Sequence, residues 1–498
     1  MKINNFFLGV LLCIIHLDAV AGNLYFNVTD YGAANDGKTI STLAIQKTID
    51  ACAAAGGGKV IFPAGKYLTG PLFLRNNIEV EIGSGAILLF DDNISQTPVI
   101  DGSWEGIERK VYASLFTGHN LENVSITGRG KLDGQGKAWW AAYLQTVKIR
   151  EKSGIVEREP DNPEGCNLKY PRPGVINLYN CKNVFISGIT IINSPAWTIH
   201  PVYCSNVIIK DISIIQPYDS PNTDGINPES SDNVRITGCF IDCGDDCITL
   251  KSGYNEHGRE KGIPCENIVI SDCTFSHGRS AIGIGSEMSG GVRNVTISNC
   301  VFQGTLRGLR LKTGRSRGGV VENIRASNII MDNILEGISV DMYYESGSDK
   351  PLPVNEGTPF FRNIRFSSIS GTNIKEAINI SGLPESPVEE LELSDIYFES
   401  EKGVICQFGH NITFRNVKVK IKGPGSVFNV RKSALVQFDN VIPYLSDEKY
   451  PAISLDSVSG AVLRNCSESE NTDIYLKAVN SKDIILLNNV LGSARVIK

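Results

Sequence analysis

From Asn183 onward the chain repeats one pattern: an Asn, then Val or Ile, a second apolar residue two positions further on, and Ile or Cys six positions after the Asn. It starts at Asn183, Asn206, Asn233, Asn267, Asn294, Asn323 and Asn363, at intervals of 23 to 40 residues. Intervals that vary this much predict one coil per repeat, with loops of unequal length on one face. With weaker copies at Glu390 and Asn411, the sixth positions form a column: Ile189, Ile212, Cys239, Cys273, Cys300, Ile329, Ile369, Ile396 and Val417. Like side chains meeting every about 4.8 Å is what a parallel β-helix requires, so the pattern predicts an all-β solenoid. Cys239, Cys273 and Cys300 then serve as small core hydrophobes.

Ahead of the repeats, Thr42 to Ala55 has helical periodicity, with Leu43, Ile45, Ile49 and Cys52 apolar, and stops at Gly56-Gly57-Gly58. A helix there would cover the open edge of the first coil. Val60-Ile61-Phe62-Pro63 and Leu72-Phe73-Leu74 read as the first strands. Two stretches interrupt the pattern: Lys137 to Pro173, with Trp139, Trp140, Arg150, Arg158, Tyr170 and Arg172, and Tyr344 to Phe361. Long loops beside a solenoid face commonly shape its site. Trp139 and Trp140 have two readings, sugar stacking at a cleft edge or a packing anchor.

No Ser/Pro-rich linker divides the 498 residues, which favours one solenoid over a string of domains. The first residues read as a secretory signal: Met1-Lys2, an apolar run from Phe6 to Ile15, then Ala19-Val20-Ala21. The run is too short to span a bilayer. Leu12 stands where a lipid-attachment signal at Cys13 would need a small residue. Cleavage after Ala21 is expected, leaving 22–498 as one β-helix domain exported to the periplasm or the medium. A net charge of -6 argues against nucleic acid as a partner, since phosphate binding needs a basic face. Twelve cysteines remain beyond Cys13, an even number that leaves disulfides open. The spacing of Cys239, Cys243 and Cys247 suggests zinc, but the packing position of Cys239 speaks against it.

The candidate chemistry sits in the longer turns. Asp245-Asp246 follows Asp224 by 21 residues and precedes Arg310-Leu311-Lys312. Alone, each is ordinary: Asp-Asp between glycine and cysteine or Asn-Thr-Asp-Gly is usually a turn, and Arg-Leu-Lys a strand edge. Together, three carboxylates and two cations are what hydrolysis of an acidic glycoside needs. One protonated carboxyl serves the leaving oxygen and an ionised partner activates water, roughly 6.5 to 9.5 Å away for an inverting enzyme. A third carboxylate spreads the pKa values. Arg310 and Lys312 leave one face of a strand with Leu311 on the other, as recognition of a uronate requires.

Asn222-Thr223-Asp224, Gly244-Asp245-Asp246 and Arg310-Leu311-Lys312 match, in order, three motifs of the polygalacturonase family of pectin glycoside hydrolases. The chain resembles that family from about Asn27 through at least Phe361. The resemblance implies a right-handed parallel β-helix, inverting hydrolysis of α-1,4 bonds to galacturonic acid, and no metal or other cofactor. Asp245 would be the general acid, Asp224 and Asp246 the pair that positions and deprotonates water. Arg310 and Lys312 would bind the sugar carboxylate, and Asn222 would support the carboxylates by hydrogen bonding.

The fourth family motif, Gly-His-Gly, departs. Counting back from Gly285-Ser286-Glu287 puts Arg279 at the histidine position; ignoring that count leaves His277. Arg279 is favoured, because an indel inside a coil would break the stack's register. An arginine there should hold a neighbouring Asp ionised or bind a second acidic group, which raises rhamnogalacturonan or decorated pectin as alternative substrates. It could also be a plain structural ion pair. Tyr343 and Tyr344, one coil beyond Lys312, are candidate subsite aromatics. The expected activity is polygalacturonase of the chain-end type, with end closure depending on the two insertions. The rivals are a Ca²⁺-dependent lyase, betrayed by chelator sensitivity and unsaturated products, and a non-catalytic pectin-binding solenoid, which would bind alike with Asp245→Asn.

Overall fold

The computed structural model describes residues 24–153, 168–344, 347–470 and 472–497. The expected leader with Cys13, and Arg158 in the first insertion, lie outside them, as does the side chain of Arg150. One uninterrupted parallel ladder climbs the molecule: Tyr25–Asn27 pairs with Gly58–Phe62, that with Ile78–Ile82, then Glu122–Gly128, Lys182–Ser187, Ser205–Lys210 and Asp232–Thr237. It continues through Cys265–Ser271, Val292–Gln303, Val320–Asp332, Phe360–Ser381, Val388–Gln407 and Gly409–Ile421 to Lys482–Leu487. Each coil stacks on the one before, so the fold is a parallel β-helix.

The repeat has a physical cause in two side-chain ladders. Every repeat-opening Asn has φ between 51° and 58°. Asn occupies this left-handed region at less cost than other side chains apart from glycine. The amides then bond coil to coil: Asn183 Nδ2 donates to Asn123 Oδ1 at 2.9 Å, Asn206 to Asn183 at 2.7 Å, and Asn294, Asn323 and Asn363 continue at 3.0, 3.1 and 2.7 Å. At Asn267 the amide donates instead to Asp232. Six residues on lies the buried column. Cys300 is opposite Ile329, which faces Ile369, then Ile396 and Val417. All are at most 1% exposed, and burying each such side chain contributes about 1.5–3 kcal/mol. The eleven described cysteines are unpaired and buried, and Cys239, Cys273 and Cys300 pack as the column predicts.

Helix α1 (Thr42–Ala54) packs over the first coil through Ile45, Ile49 and Cys52. Leu43 departs from the expected apolar face and is 87% exposed, because it lies on the outer side of the first turn. The first insertion is not a loop throughout: α2 spans Lys137–Ser153. Trp139 is fully buried with its ring 5.2 Å from that of Tyr112, and Trp140 Nε1 donates to Ser194 O at 3.0 Å. Both tryptophans anchor the helix to the solenoid, which removes the sugar-stacking reading. No helix among the described residues is long and apolar enough to cross a membrane.

Candidate active site

One face of the solenoid carries short strands joined by long turns. Ile199–Val202 bridges to Ile226, which bridges to Ile248–Leu250. That strand pairs with Ser280–Ile284, then Arg307–Lys312, then Glu336–Asp341. Ile248, Ile282, Leu309 and Ile338 stack inward, so the alternate positions Thr249, Gly283, Arg310 and Ser339 point outward. A side chain at Gly283 would meet Thr249 at 3.3 Å and Asp246 Oδ2 at 3.5 Å. The missing side chain leaves room for Lys312, two coils along, to reach Asp246.

The carboxylates stand on turns stitched backbone to backbone. Gly225 N donates to Asp246 O at 3.0 Å, and Arg279 N to Asp245 O at 2.8 Å. Below, Cys243 and Cys247 pack sulfur to sulfur at 3.6 Å, and Cys243 Sγ donates to Asp245 O at 3.1 Å. The turns therefore rest on the apolar core, with their acids turned to a cleft of about 510 Å³. Oxygens of Asp224, Asp245 and Asp246 lie within 4.8 Å of one another. This is closer than the acid-to-base spacing expected from sequence, because adjacent turns of one stack supply all three.

Asp246, 2% exposed, bonds Lys312 Nζ at 2.8 Å. Burial would raise its pKa, but the charges of Lys312 and Arg310 overcome that and hold it well below the ordinary carboxylate range. Asp224 is pushed well up by burial and then by the charge of Asp245. Asp245 is raised by burial and by Asp246, against the opposing pull of Arg279 and Lys312. Arg279 Nε is 3.5 Å from Asp245 Oδ2, so the expected pair exists, yet it does not bring Asp245 below its normal value. The cluster thus sets one carboxylate of lowered pKa beside two of raised pKa.

The sequence candidates separate clearly. Asp224, Asp245, Asp246, Asn222, Arg279, Arg310 and Lys312 all line the cleft. Asn222 does so differently from expectation: its Oδ1 accepts from Arg172 Nη2 at 2.7 Å, and the bond to Asp224 Oδ2 comes from Asn227 at 3.1 Å. Arg172 is 1% exposed and also holds the carbonyls of Pro195 and Pro221, so it locks the turn before Asp224. His277 faces sideways, with Nδ1 3.1 Å from Asp242 Oδ1 and its ring against Tyr218. Tyr343 turns to the core, whereas Tyr344 lines the cleft with its ring 5.8 Å from the Arg310 guanidinium and 5.6 Å from Lys312 Nζ. The strand ends at Asp341, and alternation continued from the inward Ile338 and Val340 would have turned Tyr344 to the core, so the turn after the strand is what brings Tyr344 to the cleft.

Lys251, Glu287 and Trp197 were not legible as site residues. Lys251 is 3% exposed, 3.1 Å from Glu287 Oε2 and 4.7 Å from the Trp197 ring centroid. Burial would raise Glu287, but Lys251 and then Lys312 bring it down to about 2. The available signal was Lys251 closing the strand that follows Asp245-Asp246. Among the described residues, the three aspartates form the group that could hold a metal ion. Lys312 already occupies an oxygen of Asp246, and Arg279 faces Asp245, so a divalent cation would meet fixed positive charge at two of its three ligands.

The chain is similar to several known proteins. Residues 101–421 match the model of glycosyl hydrolases family 28, and residues 25–107 match a model described as rhamnogalacturonase A/epimerase, pectate lyase-like. A probable polygalacturonase of Vitis vinifera is 35% identical over 380 residues, 74% of this chain and 73% of that protein. An exopolygalacturonase of Zea mays is 29% identical over 79% of this chain and 90% of its own. The crystal structure of a hyperthermoactive exopolygalacturonase from Thermotoga maritima superposes with a TM-score of 0.72 at 34% identity, covering 80% of this chain and 92% of that one.

Proposed function

The chain belongs to glycosyl hydrolases family 28, and from that premise we propose that it hydrolyses α-linked galacturonic acid bonds in pectin from a chain end. It is a glycoside hydrolase. The observation that carries the substrate reading is the pairing of three gathered carboxylates with Arg310 and Lys312 in one cleft. Chain-end action is supported by the exopolygalacturonases among the similar proteins.

In this proposal Asp245, whose raised proton affinity suits a donor, protonates the leaving oxygen. Asp246, held ionised by Lys312 and Arg310, orients the attacking water, and Asp224 takes its proton. Asp224 and Asp245 are both raised by burial, and the charge of one opposes ionisation of the other, so the pair holds its last proton more tightly than its first. One ionised and one protonated member is the working state. Arg310 and Lys312 hold the uronate carboxylate beside Tyr344. Inversion rests on family membership, since the short spacing departs from the general rule. The anomer of the first product, read by proton NMR, tests it: β from an α-linked substrate agrees, α overturns it.

Arg279 supports a second reading, rhamnogalacturonan or decorated pectin, through its exposed guanidinium beside Asp245. Product chromatography after separate incubation with polygalacturonate and rhamnogalacturonan decides between them: galacturonic acid from the former supports the first reading, products from the latter alone the second. A chelator control separates both from a lyase. Export through residues 1–21 is part of the proposal and is tested by mass spectrometry of the secreted N-terminus.

A further inference from the structure

Arg315, three residues beyond Lys312, engages every nitrogen of its guanidinium with a fixed partner. Nε donates to Glu385 Oε1 at 2.6 Å and Nη2 to Glu385 Oε2 at 3.0 Å, a two-pronged pair. Nη1 donates to Ser348 O at 2.7 Å, and Nη2 also to Lys350 O at 3.1 Å. One side chain thus joins the turn after Arg310-Leu311-Lys312, the second insertion and the turn around Glu385. We propose that Arg315 and Glu385 are the positioning pair of Tyr344: they clamp the second insertion so that the tyrosine ring stays beside the two uronate-binding cations, and through that ring they set substrate affinity. The proposal rests on the galacturonan-hydrolase reading and extends it to two residues outside the cleft lining.

Most ion pairs at a protein surface contribute little, because both side chains stay mobile and solvated. This pair differs in burial and in geometry: its side chains are 13% and 5% exposed, and the fork of Arg315 meets both carboxylate oxygens. The bond to Arg315 holds Glu385 below the ordinary carboxylate range, so both partners are charged. The Glu385 turn is itself fixed, by reciprocal N-to-O bonds of 3.0 and 3.1 Å between Leu383 and Ser386. Ser386 Oγ donates to Pro359 O at 2.5 Å, at the far end of the insertion. Lys312, Asp341 and Ser381 are successive register partners, so Glu385 follows the coil two steps beyond the cations. One turn therefore grips the insertion near both ends, and Arg315 carries the near end.

Tyr344 opens the insertion where that grip is applied. Its N donates to Thr313 O at 3.0 Å, and a Cβ at Gly314 would collide with its carbonyl. The backbone of Tyr344 therefore lies flat against Thr313-Gly314, the two residues just ahead of Arg315. This contact fixes where the insertion begins, and the bonds to Ser348 and Lys350 fix the direction in which it leaves. The ring then stands 5.8 Å from the Arg310 guanidinium and 5.6 Å from Lys312 Nζ. From there it offers its face to the cations and its apolar surface to a sugar that they hold. Without Arg315, two carbonyls lose their donor and the Glu385 carboxylate is left unpaired, so the insertion no longer holds the ring in one place.

The test is a double-mutant cycle on polygalacturonate with Arg315→Met, Tyr344→Ala and the two combined, reading initial rates as reducing ends and Tm by circular dichroism. Tyr344→Ala should raise KM about tenfold and Arg315→Met about three- to tenfold, each with kcat within about threefold of wild type. The combined variant should be no worse than the more severe single one, because Arg315 acts through the ring that Tyr344→Ala has removed. If Arg315→Met does not fold, Arg315→Met/Glu385→Met removes both charges together and takes its place in the cycle, with the same rise in KM expected. An unchanged KM, KM effects that multiply in the combined variant, or a loss confined to Tm and to kcat in proportion to folded protein overturns the proposal. Wild type that cleaves no polygalacturonate overturns the underlying reading instead, and that failure is visible before any variant is made.

Discussion

Two faces of the same coils obey opposite rules. On the Asn-ladder face each coil repeats its neighbour, Asn294 on Asn267 and Asn323 on Asn294, with amides bonded at 3.0 and 3.1 Å. On the cleft face no coil repeats the one below: Asp224, then Asp246, then Gly283, then Arg310 and Lys312. The stack supplies the same spacing to both. Where like meets like the spacing yields hydrogen bonds and burial; where unlike groups meet it brings buried charges of both signs within reach of one another. The difference teaches that the repeat builds a ruler and the site uses it.

Removing the proton donor should break the cleft face most severely. Asp245→Asn keeps the volume and loses the transferable proton, so turnover should fall about 10²–10⁴-fold with substrate affinity retained. Stopped assays of reducing ends and inhibitor titration check this, and an active variant would reassign the acid.

Lys312→Ala comes next. It removes a charged hydrogen bond to the uronate and exposes Asp246 as an unpaired buried charge. A loss of about 10–100-fold in kcat/KM on acidic substrates is expected, with a smaller loss on a neutral analogue. The pH profile should move too. Lys312 and Arg310 depress Asp246, so its ionised form persists as pH falls toward the low folded value. Without Lys312 the acid limb of activity should shift upward. An unmoved limb would mean that another group holds Asp246 ionised.

Stability gives a subtler contrast. Asp224 is raised on folding, so its contribution is fully present below the unfolded carboxylate range and is lost as pH rises through the folded value. Asp224→Asn, which mimics the protonated acid, should therefore gain Tm relative to wild type as pH rises, by about 1–3 °C at neutral pH. Equal shifts at all pH values would contradict the burial of that charge. On the opposite face, Asn294→Ala forfeits two ladder bonds and a tolerated left-handed conformation, costing about 1–3 kcal/mol. That should lower Tm by about 1–3 °C and leave kcat unchanged. A change in kcat would show that the two faces are not separable.

The same contrast explains what the sequence made legible. Repetition is written directly into the chain, so the coils and the Cys239–Cys273–Cys300 column could be read from it, and the aspartates and cations could be read from short contiguous motifs. Lys251 and Glu287 could not, since 36 residues separate partners that only the stack brings to 3.1 Å. Arg172 holding Asn222 across 50 residues was hidden for the same reason. Tyr343 and Tyr344 differ by one position, and the turn after Asp341, which overrides the strand's alternation, decides which reaches the cleft.

The central claim is that Asp245 gives its proton to the leaving oxygen of a galacturonate chain held end-on. The most direct test is chromatography of polygalacturonate digests made by wild type and Asp245→Asn at matched substrate occupancy, with ultraviolet detection of unsaturated sugars. Saturated monogalacturonate is expected from the wild type from the earliest time, and none above background from the variant. Unsaturated products, or monogalacturonate formed equally fast by both proteins, would contradict it.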